Sequence, residues 1–84
     1  MTQSHAVAVY TKPNCQQCTA TKRRLDRRGI DYTEIDITED QDAYDYVISL
    51  GHQQAPIVVL DDGTHWSGFR LDRIDQITPT KENR

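Results

Sequence analysis

Residues 6–18 read A-V-A-V-Y-T-K-P-N-C-Q-Q-C. The first five, Ala6 to Tyr10, form a short apolar run rich in strand-forming residues, and Lys12-Pro13-Asn14 stops it. Pro13 cannot donate a ladder hydrogen bond, and Asn14 suits a turn or a helix cap. The stretch therefore predicts a buried strand, a turn, and a helix opening at Cys15. That helix should run to about Arg28, with Gly29 as its stop. Cys18 and Leu25 lie seven residues apart and share one helical face, with Thr21 beside them.

Beyond the helix, Ile30 to Ile37 reads as a second strand with imperfect alternation. Thr38-Glu39-Asp40-Gln41 fits a capping box and opens a second helix, where acids suit the positive end of the helix dipole. Ala43, Tyr46, Val47 and Leu50 recur at i, i+3, i+4 and i+7, an apolar stripe that Gly51 ends. Pro56 to Leu60 is a continuous apolar run and predicts a buried third strand. Asp61-Asp62-Gly63-Thr64 is a hairpin turn, followed by a short fourth strand, His65 to Ser67, closed by Gly68. A last helix over Leu71 to Ile77 should offer Leu71, Ile74 and Ile77 to the core. Thr78 to Arg84 reads as a polar tail. The order is βαβαββα, one α/β domain over residues 1–84, with a parallel right-handed first β-α-β unit and an antiparallel final pair.

Composition narrows the function. The chain has 84 residues, 36% hydrophobic and 27% charged, which suits one folded domain rather than a disordered chain. A net charge of −3 provides no overall field for nucleic acid. No apolar run approaches the roughly 20 residues needed to span a bilayer. Met1 to Val9 lacks the positive and long apolar regions of a signal peptide, so the expected location is the cytoplasm. Charge is uneven: Lys22, Arg23, Arg24, Arg27 and Arg28 form a basic block, and an acidic block from Asp31 to Asp45 follows. The basic block reads first as a solvated face that also suits a helix C-terminus. Its alternative role is to attract an acidic partner tail.

The chain has two cysteines, Cys15 and Cys18. A disulfide closing so tight a loop would stabilise little, and cytosolic thiols are kept reduced, so the pair reads as chemical rather than structural. A C-x-x-C after the first strand of such a pattern reads as a thioredoxin-like redox motif. The thiolate is the attacking species, and a free cysteine, with a pKa of about 8.5, is mostly protonated at neutral pH. At a helix start, unpaired N–H groups and the dipole favour the anion. Cys15 is therefore assigned as nucleophile and Cys18, one turn on, as resolving thiol. Lys12 adds to the effect if it lies close. Gln16 and Gln17 are polar and uncharged, fit to tune potential and partner contact. Half of a zinc site is the competing reading, but zinc wants four ligands and His52 and His65 do not form a regularly spaced second pair. His5, His52 and His65 read as lone surface histidines. No glycine-rich phosphate loop is present.

These residues resemble a known family. Y-T-K-P-N-C-Q-Q-C resembles the active-site segment of the glutaredoxin-like branch of the thioredoxin superfamily. Q-A-P-I-V-V at 54–59 resembles the loop and strand that carry its cis-proline. W-S-G-F-R at 66–70 is more specific and resembles NrdH-redoxins. The resemblance covers about Ala6 to Ile77. It implies a thioredoxin fold with a four-stranded mixed sheet of order 2-1-3-4 and three helices. It implies a cis peptide between Ala55 and Pro56, packed beside Cys15 and Cys18, with Pro13 in the same neighbourhood. Trp66, Ser67, Gly68, Phe69 and Arg70 would form a partner-docking stretch, Trp66 and Phe69 also serving the core. The implied role is electron donation to the large subunit of a class Ib ribonucleotide reductase. Electrons would come from NADPH through thioredoxin reductase, with no cofactor or metal bound and the protein a monomer. A glutaredoxin- or mycothiol-linked reductase of mixed disulfides is the alternative. Glutathione-using relatives carry acidic residues after the fourth strand, where this chain has Phe69 and Arg70, so glutathione should reduce it poorly. The family often has proline where Leu71 stands, which leaves the start of the last helix open.

Overall fold

The computed structural model describes residues 7–77. The chain forms β1 (Val7–Thr11), α1 (Gln16–Arg27), β2 (Thr33–Asp36), α2 (Gln41–Ser49), β3 (Ile57–Leu60), β4 (His65–Ser67) and α3 (Leu71–Ile74). The sheet order is β2-β1-β3-β4. β1 pairs parallel to β2 and antiparallel to β3, and β3 pairs antiparallel to β4. This is the expected thioredoxin topology. Ala6 and the segment 78–84, read from sequence as a strand start and a polar tail, lie outside the described residues, as does His5.

Alternation along β1 divides the two faces of the sheet. Val7, Val9 and Thr11 are buried, with Ala8 and Tyr10 half-buried between them. Val9, Val58 and Trp66 stand in one cross-strand row, and Leu25, Ile30, Ile74 and Ile77 close over that face as its core. Tyr10 points the other way and meets Tyr46 of α2, with ring centroids 5.8 Å apart.

α1 ends as the glycine stop predicts. Gly29 has φ +70, its N–H donates to Asp26 O, and Ile30 N–H donates to Leu25 O. These two bonds form a Schellman motif, which drops Ile30 onto Leu25 in the core. The same geometry corrects the second strand. Ile30 is buried as part of the helix stop, not as a strand residue, so β2 begins only at Thr33. β1, conversely, runs one residue past Tyr10, because Thr11 pairs with Asp36.

The capping box at 38–41 does not form. Asp40 is the cap of α2, its Oδ1 accepting Ala43 N–H at 3.0 Å. Thr38 is held one turn earlier by Asp36, whose Oδ1 accepts both its N–H and its hydroxyl. A carboxylate at position 40 satisfies the first-turn donors as well as the threonine would have. Ala43 and Val47 are buried as the stripe predicts, but Tyr46 is 42% exposed, its ring lying along Tyr10 rather than under the sheet.

α3 is shorter than expected, with turns continuing to Ile77. Ile74 and Ile77 enter the core, but Leu71 is 43% exposed. It is the first residue of the helix, after an Arg70 that makes no side-chain cap bond. The basic block is less solvated than its sequence suggests. Arg24 forms two bonds to Asp75, and Arg28 donates to the carbonyls of Ile74 and Ile77. Arg28 thus supplies donors to orphan carbonyls at the end of α3, while Arg24 holds the Asp75 carboxylate beside them. Lys22 pairs with Glu34 at 2.9 Å.

Candidate active site

The turn after β1 decides the site. Asn14 takes φ +58, a left-handed conformation that asparagine tolerates better than most residues. The chain therefore reverses within Lys12-Pro13-Asn14 and delivers Cys15 as the N-cap of α1. Cys15 Sγ accepts the backbone N–H of Cys18 at 3.1 Å, an orphan first-turn donor of the helix. The first turn of α1 contains no acidic residue, so no carboxylate competes for its positive end.

Cys15 and Cys18 are joined as a disulfide, their Cα atoms 5.2 Å apart. The two sulfurs differ in access. Cys15 is half-buried at the surface, whereas Cys18 is 2% exposed. Only Cys15 can be met by a bulky partner.

A second wall comes from the segment before β3. The Ala55–Pro56 bond is cis, and Pro56 is fully buried. The Ala55 carbonyl oxygen lies 3.9 Å from Cys15 Sγ. Gly68 N–H donates to Pro56 O at 2.8 Å, so the end of β4 fixes the proline. Gly68 holds φ +87 and passes Gln17 closely: a Cβ there would lie 3.5 Å from Gln17 Oε1. That oxygen accepts Phe69 N–H at 3.2 Å. The middle of the C-x-x-C is thereby tied to the loop after β4. Nothing in the sequence marked this bond, because it joins positions 52 residues apart.

Two hollows flank Cys15. One of about 580 Å³ is bordered by Lys12, Asn14, Cys15, Cys18, Lys22 and Glu34. The other, of about 440 Å³, adds Gln17, Gln54 and Ala55, with Lys12, Asn14, Cys15 and Gln16 common to both. Beside the first, Glu34 Oε2 accepts from Lys22 Nζ and from Thr11 Oγ1. The lysine bond holds its carboxyl below the usual range.

Most of the sequence-predicted site residues therefore come together: Lys12, Pro13, Gln16, Gln17, Ala55 and Pro56 surround the cysteines. The 66–70 stretch divides. Gly68 and Phe69 stand beside Gln17 at the site's edge, with Phe69 38% exposed, while Ser67 pairs with Ile57 in the sheet and Arg70 turns to Asp72. Trp66 does not reach a docking surface. It is 4% exposed, because its position in the β3–β4 register points it into the core, with Arg73 5.9 Å from its ring. His52 and His65 are not lone surface residues either. They meet ring to ring, with His52 Nε2 2.7 Å from His65 Nδ1. Among the described residues no group of three or more His, Cys, Asp or Glu is gathered for a metal.

The glutaredoxin family model matches residues 7–66. A glutaredoxin-like NrdH protein of Salmonella typhimurium is 39% identical over 75 residues, covering 89% of this chain and 91% of its own. The chain belongs to the NrdH group of glutaredoxin-like proteins. The NrdH of Lactococcus lactis subsp. cremoris is 41% identical over 71 residues, 84% of this chain and 97% of its own. Among solved structures, NrdH-redoxin from Escherichia coli, described for its thioredoxin-like activity profile, superposes with a TM-score of 0.83 at 36% identity, covering 90% of this chain and 99% of that one. The protein is a thiol–disulfide oxidoreductase built on the Cys15–Cys18 pair. No described helix is long and apolar enough to cross a membrane.

Proposed function

We propose that this NrdH-type protein carries electron pairs to the large subunit of a class Ib ribonucleotide reductase and receives them from NADPH through thioredoxin reductase. The exchange takes two steps. The Cys15 thiolate attacks one sulfur of the partner's disulfide, forms a mixed disulfide and releases the partner's other sulfur as thiolate. The Cys18 thiolate then attacks Cys15, closes the intramolecular disulfide and frees the partner's second thiolate. Two electrons have passed to the partner, and the reductase returns two.

The geometry suits those roles. The exposed sulfur sits where a first-turn N–H stabilises negative charge, and the buried one is held a turn away, reached only by its neighbour. The observation that carries the finer assignment is identity with NrdH proteins along nearly the whole chain. The E. coli relative's thioredoxin-like profile extends that reading to the reductase. The loop after β4 also supports it: Phe69 and Arg70 supply no carboxylate for a glutathione amino group, and Gln17 already occupies the Phe69 N–H. The protein works as a monomer in the cytoplasm, binding no cofactor of its own.

An NADPH-consumption assay with insulin as acceptor tests this. Thioredoxin reductase should support turnover, while glutathione with glutathione reductase, or mycothiol with its reductase, should support little. Efficient turnover by either low-molecular-weight thiol alone, with none by thioredoxin reductase, would assign the protein to mixed-disulfide reduction instead.

A further inference from the structure

The loop 53–56, which carries the wall facing Cys15, is attached at one end to β4 and at the other to Gly68 just beyond it. At its far end Gly68 N–H holds Pro56 O. At its near end stands His52, whose ring meets His65 on β4 at 2.7 Å, the rings perpendicular with centroids 4.9 Å apart. His52 itself is fixed by its N–H to Val47 O, the helix stop of α2. We propose that the His52–His65 pair is a clasp that positions the 53–56 loop for the incoming disulfide, and that it opens when both rings carry a proton. His52 and His65 are positioning residues, acting through Ala55 and Pro56. The inference rests on the disulfide-exchange reading of Cys15.

The protonation logic follows from the single contact. Two neutral rings share one N–H···N bond, with one ring as donor and the other as acceptor. A single added proton leaves an N–H facing a lone pair, so the bond survives. A second proton puts N–H against N–H, with no acceptor and two like charges in contact. Burial, and next the His65 charge, hold His52 below the ordinary histidine value of 6.5. Other titratable groups stand on the surrounding elements: Asp45 and Tyr46 on α2, Tyr10 on β1, Asp61 and Asp62 in the β3–β4 turn. Of the neighbouring charges it is His65 that lowers His52. The neutral form of His52 is thus favoured in the folded chain. The clasp is whole at neutral pH and fails on acidification below 6.5, through the depressed His52 value.

The test uses pre-reduced protein and insulin in single turnover, which needs no reductase. The rate at saturating insulin and the half-saturating insulin concentration are read from pH 5 to 8. In the wild-type chain half-saturation should rise about three- to tenfold on acidification, the scale of one hydrogen bond, with the saturating rate following Cys15 ionisation alone. His52→Gln puts an amide where Nε2 stands, able to accept from His65 in either of its charge states. This variant should keep the neutral-pH half-saturation and lose its acid rise. His52→Leu should show the raised value at every pH. Comparing variants at each pH cancels the titration of Cys15. If H52Q and wild type give the same pH profile, the clasp is refuted, whether or not H52L folds. If wild-type protein reduces no insulin at any pH, the disulfide-exchange reading fails first, and the result is read against that instead.

Discussion

α1 and α2 begin in chemically opposite ways. α2 is capped by a carboxylate, Asp40, and carries another, Asp42, in its first turn. α1 is capped by a sulfur, Cys15, and has no acid in its first turn. Both caps accept the same backbone donor, the N–H three residues on: Ala43 to Asp40 at 3.0 Å and Cys18 to Cys15 at 3.1 Å. At α2 the positive helix end is neutralised by permanent charges and serves stability. At α1 it faces a group that can be a bond or an anion, and its preference for the anion is available to chemistry.

The largest effect should come from removing the sulfur cap. Serine at position 15 still caps a helix well, so Cys15→Ser should fold with little change in melting temperature and reduce no disulfide. Cys18→Ser should instead stall after the first step and accumulate mixed disulfides, seen by mass spectrometry as a mass increase reversed by reductant. Residual insulin reduction by the C15S protein would show that the cap is not the nucleophile.

The carboxylate cap should behave in the opposite sense. Asp40→Ala should cost about 1 kcal/mol, roughly 4–8 °C in a domain of this size, and leave the rate of disulfide reduction at neutral pH unchanged. Asp40→Asn should recover most of the loss, because the amide oxygen keeps the hydrogen bond and gives up only the charge. Thermal melts of the two variants, run beside the insulin assay, separate the contributions. A fall in rate with Asp40→Ala would mean that the two helix starts are coupled.

The contrast also shows what the sequence could convey. Cys15 was readable as a helix start because turn residues, cysteine spacing and the Gly29 stop are all local. The apolar runs of β1 and β3 were local signals too, but β2, the polar Thr33–Asp36, was weakly marked, and the sheet order 2-1-3-4 was legible only through the family resemblance. The α2 cap was misplaced by two residues because Thr38 and Asp40 both cap well, and only the Asp36 carboxylate decides between them by holding Thr38. The pieces that finish the site were not readable. Gln17 to Phe69, His52 to His65, and Arg28 to the carbonyls of α3 each join distant segments through a polar side chain. Periodicity and spacing are blind to such pairs. Trp66 was half-read: its place beside the site was visible, but its face of the sheet depends on the β3–β4 register.

The finest distinction between the two helix starts is the missing acid in α1, and Gln16→Asp supplies it. Position 16 is the first helical residue, directly after the sulfur cap. A carboxylate there interacts favourably with the helix dipole, worth about 0.3–1 kcal/mol, so the oxidised protein should melt slightly higher. In the reduced protein the same charge lies beside the Cys15 sulfur and opposes its ionisation. The thiolate fraction at neutral pH should fall, and the rate of insulin reduction with it, by about two- to fivefold if the two charges act on the scale of that dipole term. Raising the pH should restore the rate, and raising the salt should shrink the deficit, since the pair is near the surface. Stability and activity would then move in opposite directions from one charge. If both fell together, the substitution would be distorting the turn, and the open positive end of α1 would not be what activates the sulfur. If neither moved, the acid-free first turn would be incidental to the chemistry, and the Cys18 N–H contact alone would have to account for it.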